Sequence, residues 1–179
     1  EQLPKFHEGE AAFAASNTNI ASQGKYIWIA TGGIKSRILR RDFFRNWEAF
    51  ETPFVQGTAS TGIYSIDFYD ENNGIAVGGD YKNQTNNINN IATTNDAGKT
   101  WTIQANGKHS GYKTCVKYRP KSKGKEIIAL CDQDISYSPD YGKTWKVISN
   151  EKNLYTFKWL NKKTLVAAGK DKIVKISFE

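Results

Sequence analysis

The chain takes its phase from Thr94-Asn95-Asp96-Ala97-Gly98-Lys99-Thr100-Trp101, which returns as Ser138-Pro139-Asp140-Tyr141-Gly142-Lys143-Thr144-Trp145. Both copies obey Ser/Thr-x-Asp-x-Gly-x-x-Trp, and each residue type has a mechanical task in a tight turn between strands. The Asp96 and Asp140 carboxylates are expected to accept backbone N–H bonds two residues on, as in an Asx-turn. Gly98 and Gly142 supply positive φ at no steric cost. Trp101 and Trp145 open the next strand and bury a large ring between packed sheets. A third, degenerate copy runs Arg40-Arg41-Asp42-Phe43-Phe44-Arg45-Asn46-Trp47. It keeps Asp42 and Trp47 but lacks the hydroxyl and the glycine, which predicts a turn remodelled around Phe43 and Phe44.

Between these turns the apolar pattern has period two, the mark of half-buried strands. Inner strands are predicted at Tyr64-Ile66-Phe68, Val116-Tyr118 and Tyr155-Phe157-Trp159, with a weaker one near Phe13. Second strands follow at 26–30, 75–77, 127–130 and 165–168. Third strands follow at 37–41, 90–94, 135–138 and 173–178, and each fourth strand starts at a signature Trp. Trp47, Trp101 and Trp145 lie 54 and then 44 residues apart, spacings that bracket the length of a four-stranded blade. The Asn-rich stretch 82–90 reads as an inserted loop. The pattern predicts an all-β chain, a β-propeller of four-stranded antiparallel blades. Its parts are a connector at 1–9, blades at about 10–57, 58–106 and 107–150, and a partial fourth at 151–179. Three blades and part of a fourth do not close a ring, so either something else closes a four-bladed ring or the chain is the C-terminal part of a larger ring with further blades of the same protein; the second is the reading favoured.

Composition agrees with many turns and one core: 179 residues, 13% aromatic, 15 Gly and 4 Pro. No apolar run is long enough to cross a membrane. The formal net charge is +7, concentrated in two blocks. One holds Lys35, Arg37, Arg40, Arg41 and Arg45 against Asp42. The other holds Lys117, Arg119, Lys121, Lys123 and Lys125. Aromatics do not interleave with these charges, which argues against nucleic acid as a partner. Cys115 and Cys131 fall nearly opposite one another on successive strands. Both a cross-strand disulfide and two separate buried thiols fit that spacing. With His7 and His109 at unrelated positions, the cysteines make no zinc pattern, and no nucleotide or metal cofactor is expected.

The repeated turn resembles the Asp-box, or bacterial neuraminidase repeat, of β-propellers. Three further segments are Glu10-Ala11-Ala12-Phe13-Ala14-Ala15-Ser16, Ser60-Thr61-Gly62-Ile63-Tyr64-Ser65-Ile66 and Gly74-Ile75-Ala76-Val77-Gly78-Gly79-Asp80-Tyr81. In that order they resemble photosystem II stability/assembly factor-like proteins, from about Gly9 to the end of the chain. The resemblance implies the C-terminal half of a roughly seven-bladed, non-catalytic, protein-binding propeller. The degenerate first turn departs from the family pattern.

Asp-boxes also occur in sialidases and other glycosidases, so an enzyme is the alternative reading. Sialidase sites need an arginine triad on the face away from the boxes. Arg40, Arg41, Arg45 and Arg119 belong to the box face, and only Arg37 could reach the other. A glycosidase needs two facing carboxylates; Asp80 is the best candidate, with Asp134 and Glu151 weaker. Two binding surfaces are therefore predicted. Arg40, Arg41, Arg45 and Arg119 would draw an acidic or membrane-associated protein. Asp80, Tyr81 and Tyr112, with Lys82, Lys108 and His109, would recognise a ligand on the opposite face. An exported interaction or assembly factor is the function these features favour.

Overall fold

Alternating apolar residues give each strand two faces to bury, and stacking successive sheets buries both. A computed structural model describes residues 3–14, 16 and 18–178. Among them are seventeen strands and no helix. A short lead-in, β1 (Glu10–Ala11), precedes the first sheet of β2 (Ile20–Gln23), β3 (Tyr26–Ala30), β5 (Arg37–Arg41) and β6 (Trp47–Glu51). Between β3 and β5, the two-residue β4 (Gly32–Gly33) pairs with β1 and touches the next sheet at Gly62. That second sheet is β7 (Thr61–Phe68), β8 (Gly74–Asp80), β9 (Ile91–Thr94) and β10 (Thr102–Ile103). The third is β11 (Cys115–Tyr118), β12 (Ile127–Leu130), β13 (Ile135–Ser138) and β14 (Lys146–Ser149). The fourth has three strands, β15 (Leu154–Asn161), β16 (Thr164–Gly169) and β17 (Lys172–Ser177). Every pairing is antiparallel and within each blade joins sequence neighbours, apart from the β4 excursion. The architecture is the propeller expected, with inner strands β2, β7, β11 and β15.

One strand differs from expectation. The first blade's inner strand is Ile20–Gln23, not the stretch around Phe13. Phe13 instead stacks on Tyr64, with centroids 4.2 Å apart and planes at 8°. The alanines around it offer no apolar side chains to bury in a sheet. Ala15, in the same stretch, lies outside the described residues.

Each interface between blades has its own apolar core. Trp28 stacks on Phe68 at 3.7 Å between the first two blades, with Ile38, Ile63, Ile66 and Trp101 around them. Ile75, Val77, Val116 and Ile127 fill the second interface, and Leu130, Ile135, Phe157 and Leu165 the third. Fully burying one such side chain contributes about 1.5–3 kcal/mol. Inner strands are also joined by polar bonds. Ser65 Oγ accepts from Thr18 Oγ1 at 2.7 Å and from Val116 N at 3.0 Å. Asp67, pushed upward by burial against the pull of Lys117, holds Lys117 Nζ at 2.8 Å and Tyr118 N at 2.9 Å. Where the first two blades meet, Gly62 has φ +139°, and a Cβ there would lie 2.3 Å from Gly32 Cα. No side chain fits at that position.

The two signature turns share one bonding scheme, and it reaches further than an Asx-turn. Asp96 accepts from Thr100 N at 2.9 Å and Thr100 Oγ1 at 2.6 Å, four residues on. Thr94 Oγ1 donates to Asp96 Oδ1 and accepts from Gly98 N at 3.0 Å. Trp101 Nε1 returns to Gly98 O at 3.0 Å. In the other copy, Thr144 N and Thr144 Oγ1 bond Asp140 at 2.8 and 2.7 Å, Gly142 N bonds Ser138 Oγ, and Trp145 Nε1 bonds Gly142 O. Asp42 keeps the four-residue reach to Asn46 N at 2.8 Å, but Arg45 takes the positive φ, at 69°. Phe43 and Phe44 are left exposed.

Candidate functional site: a tyrosine-lined cavity on the axis

The loops before each inner strand and after each second strand share one face, opposite the signature turns. On that face the lead-in to the first blade and the second, third and fourth blades line a cavity of about 530 Å³. Tyr64, Tyr81, Tyr112 and Tyr155 supply its rings, while Asp132, Gln84, Thr18, Thr114 and Thr156 supply polar groups.

Two of the tyrosines stand on irregularities in the ladder. The register of β7 against β8 shifts between Ile63 and Ser65, leaving Tyr64 without a partner. The register of β15 against β16 shifts between Leu154 and Thr156, leaving Tyr155 in the same position two blades on. A bulge turns a side chain out of the alternation and so re-aims it, here toward the axis. The other two come from loops. The insert 82–90 is pinned to the loop before β11 by Tyr112 N on Gln84 O at 2.9 Å and by Asn87 Nδ2 on His109 O at 3.0 Å. That fastening sets Tyr81 and Gln84 on one wall and Tyr112 on another. Tyr64 lies perpendicular to both other rings, at 5.0 Å from Tyr112 and 6.5 Å from Tyr81.

The surroundings hold Tyr64 and Tyr112 in the neutral form. Burial, then Tyr81 and Asp80, raise the Tyr64 phenol; burial, then Tyr64 and Asp132, raise that of Tyr112. His109, behind the wall, is lowered to about 4 by burial and by Lys113. Lys113 is itself buried, with Nζ donating to Ser110 Oγ at 2.7 Å, Tyr112 O at 3.2 Å and Asp134 Oδ2 at 3.2 Å.

The residues singled out in the sequence separate into groups. Tyr81 and Tyr112 line the cavity, and Asp80 sits beside it at the end of β8, its Oδ1 accepting from Lys82 N at 2.9 Å. The basic cluster on the opposite face divides. Arg40 is 3% exposed; it donates to Glu48 at 2.5 Å and Ala97 O at 3.1 Å and lies 4.5 Å over the Tyr26 ring. Arg119 ties its hairpin to the fourth blade through Lys162 O at 2.7 Å and bonds Glu126 at 3.0 Å. Arg41 is half-buried, and Arg45 is exposed on its turn. Arg37 is buried against Glu10 at 2.7 Å, and Asp134 is held by Lys113. Cys115 and Cys131 are both buried free thiols, Cys115 pairing in register with Leu130. Among the described residues no group of three or more His, Cys, Asp or Glu could hold a metal ion.

Sequence reasoning missed Tyr64, Tyr155, Gln84 and Asp132 as cavity residues. The two tyrosines occupy apolar positions of a regular alternation; the bulges take them out of the interface cores, leaving Tyr155 exposed and Tyr64 in a separate buried cluster with Tyr112 and Cys131.

No family model matches the sequence, and no curated protein matches it. Solved structures do. One described as YCF48 bound to D1 peptide superposes with a TM-score of 0.53 at 14% identity, over 98% of this chain and 60% of that one. An ancestral GH74 enzyme gives 0.57 at 10% identity, over 93% and 24%. BamB from Moraxella catarrhalis gives 0.53 at 13% identity, over 89% and 42%. The chain therefore spans less than two thirds of each. At such identities the likeness is one of fold, and it agrees with the blades described above: the chain has β-propeller architecture.

Proposed function

We propose that this chain is part of a non-enzymatic propeller that binds a segment of a partner protein in the axial cavity and serves its assembly or stability. The observation that carries this reading is the convergence of four tyrosines from three blades and their loops on one open cavity. Tyrosine combines a large apolar face with a polar tip at low entropic cost, which suits it to anchoring peptides. The structure described as YCF48 bound to D1 peptide is a propeller of similar fold taking a peptide. The reading includes further blades, about seven in all, and grouping the signature turns with the Asp-boxes of bacterial propellers. The outer face of the first blade supports the additional blades: Ile20 is 55% exposed there, beside half-buried Ile27, Ile29 and Trp47. We further propose export, to be checked by fractionating cells that express the native protein.

Selection of a displayed random-peptide library on the complete protein tests the binding site. Enriched peptides should lose most of their binding to a Tyr155→Ala variant and keep it with Arg45→Glu. Peptides that bind Tyr155→Ala as well as the wild type would refute the axial reading.

A carbohydrate-active propeller is the second reading, since tyrosine faces also stack on sugar rings. One carboxylate, Asp132, lines the cavity, with Asp80 beside it, whereas the usual hydrolytic plan uses two facing the bond. Glycoside hydrolysis by the complete protein that vanishes in Asp80→Asn would favour this alternative.

A further inference from the structure

The cavity has a charge opposite to that of the molecule around it. The chain's formal net charge is +7, yet among the described residues no lysine or arginine lines the cavity and its one lining acid is Asp132. Gln84 and Gln133 point their amides at Asp132 Oδ2, at 3.3 and 3.2 Å. The other oxygen, Oδ1, is buried and has no hydrogen-bond partner among the described residues. A buried carboxylate oxygen without a donor leaves the charge of its group poorly compensated. A cation in the cavity beside the carboxylate supplies that compensation through its charge, without a bond to the enclosed oxygen. The nearby cation that might have done so, Lys113, is already engaged by Ser110, Tyr112 and Asp134.

The rings add a second attraction of the same sign. Tyr81 and Tyr112 each stand at 87° to Tyr64, and Tyr155 lines the cavity from the fourth blade. Aromatic faces attract cations through their quadrupole, the more strongly where the pair is desolvated. Asp80 places another negative charge close to Tyr64. Tyrosine walls around an unsatisfied carboxylate oxygen suit an alkylammonium or a guanidinium better than a neutral or acidic group.

Resting on the reading that the cavity receives a protein segment, we propose that the group it takes is a basic side chain, the ammonium of a lysine or the guanidinium of an arginine. The cation lies beside the Asp132 carboxylate, and its aliphatic stem packs against the tyrosines. Partners would then be read in two ways: by chain geometry along the axis and by one positive charge at the bottom of the cavity. The surrounding +7 charge adds selectivity, because it repels cations everywhere else on the molecule.

The test uses blocked heptapeptides of glycine and serine with a central arginine, lysine, norleucine or glutamate, titrated into the intact chain by calorimetry. The basic peptides should bind at least about tenfold more tightly than norleucine, the neutral isostere. Asp132→Asn, which keeps its shape and its place beside Gln84, should abolish most of that preference with an unchanged melting temperature. Equal binding of norleucine and arginine, or a preference that survives Asp132→Asn, would overturn the proposal. If norleucine binds equally and both peptides weaken in Tyr155→Ala, the charge preference fails while the segment-binding site stands. If no peptide binds any variant, the charge preference falls, and the library selection decides the segment-binding site separately.

Discussion

A single carboxylate in each signature turn does the work of a cap for a four-residue span. Burial raises the Asp96 carboxyl, but the Thr100 and Thr94 bonds outweigh it and leave it below its ordinary value. Asp140 follows the same balance with Thr144 and Ser138. A depressed folded-state value means stability that is present above about pH 4, the unfolded value, and lost as pH falls through the folded one. His109 acts higher: burial and Lys113 lower its folded value to about 4, under the ordinary imidazole value of 6.5, so the unfolded chain takes up a proton first and stability drops as pH falls between those two values. Urea midpoints of the wild type should therefore fall in two steps on acidification. An Asp96→Asn/Asp140→Asn variant should start lower at pH 7, keep the upper step and show a smaller lower one. An undiminished lower step would mean that other acids set it. At this scale the sequence was legible in residue type but not in reach: Asp, Gly and Trp were assigned to the turn, while the bonding to the fourth residue needed the positive φ of both Ala97 and Gly98.

Strands announce themselves when their apolar residues are large and consecutive. The second strands of all four blades were legible for that reason, as in Tyr26–Ala30 and Ile127–Leu130. The inner strand Ile20–Gln23 was not, since Ile20 is its one large apolar residue and the alternation continues in polar ones. The cavity was hidden by the same rule in reverse. Tyr64 and Tyr155 obey the alternation on paper, and a bulge changes their parity without changing the sequence pattern. Charge blocks misled in a related way, because a run of arginines does not say which of them faces inward. Arg40 joins the first blade to the Ala97 carbonyl of the second, and Arg45 only turns a loop. Arg40→Ala should cost about 2–3 kcal/mol through its lost charged bonds, whereas Arg45→Gly should stabilise by about 0.5–1 kcal/mol by relieving a positive φ. Denaturant titration of the two variants checks both; an Arg40→Ala protein as stable as the wild type would remove the proposed tie.

At the level of the whole molecule, neighbouring blades share apolar cores, so the sheets are stabilised mainly at their interfaces. Cys115 sits inside the interface between the third and fourth blades, and Cys131 in the cluster with Tyr64 and Tyr112. Burial raises both thiols, which lowers the thiolate fraction as well as access. A colourless disulfide reagent at pH 8 should therefore modify neither in the native protein within the time that denatured protein reacts fully. The rate of slow modification then reports the opening of the axis and of the last interface. Rapid reaction of either cysteine in the native state would show that its interface is open far more often than the packing implies. The ring's overall plan was legible because it depends on repetition, which survives drift at any one position. Its cavity was not, because it is assembled from two strand bulges and an inserted loop, where the repeat is least regular.

The bulges at Tyr64 and Tyr155 have an evolutionary side. A residue that the ladder does not pair is free of the parity that constrains its neighbours, and at Tyr155 it also escapes the interface core, remaining 45% exposed. Mutation at such a position changes what the axis accepts while the blade's folding instructions stay intact. Because each blade is a separate copy of one motif, duplication multiplies these unconstrained positions, and selection can adjust them one at a time. A lineage of propellers built this way can exchange ligands without rebuilding its scaffold, which is one physical reason that so little sequence identity is retained within so constant an architecture.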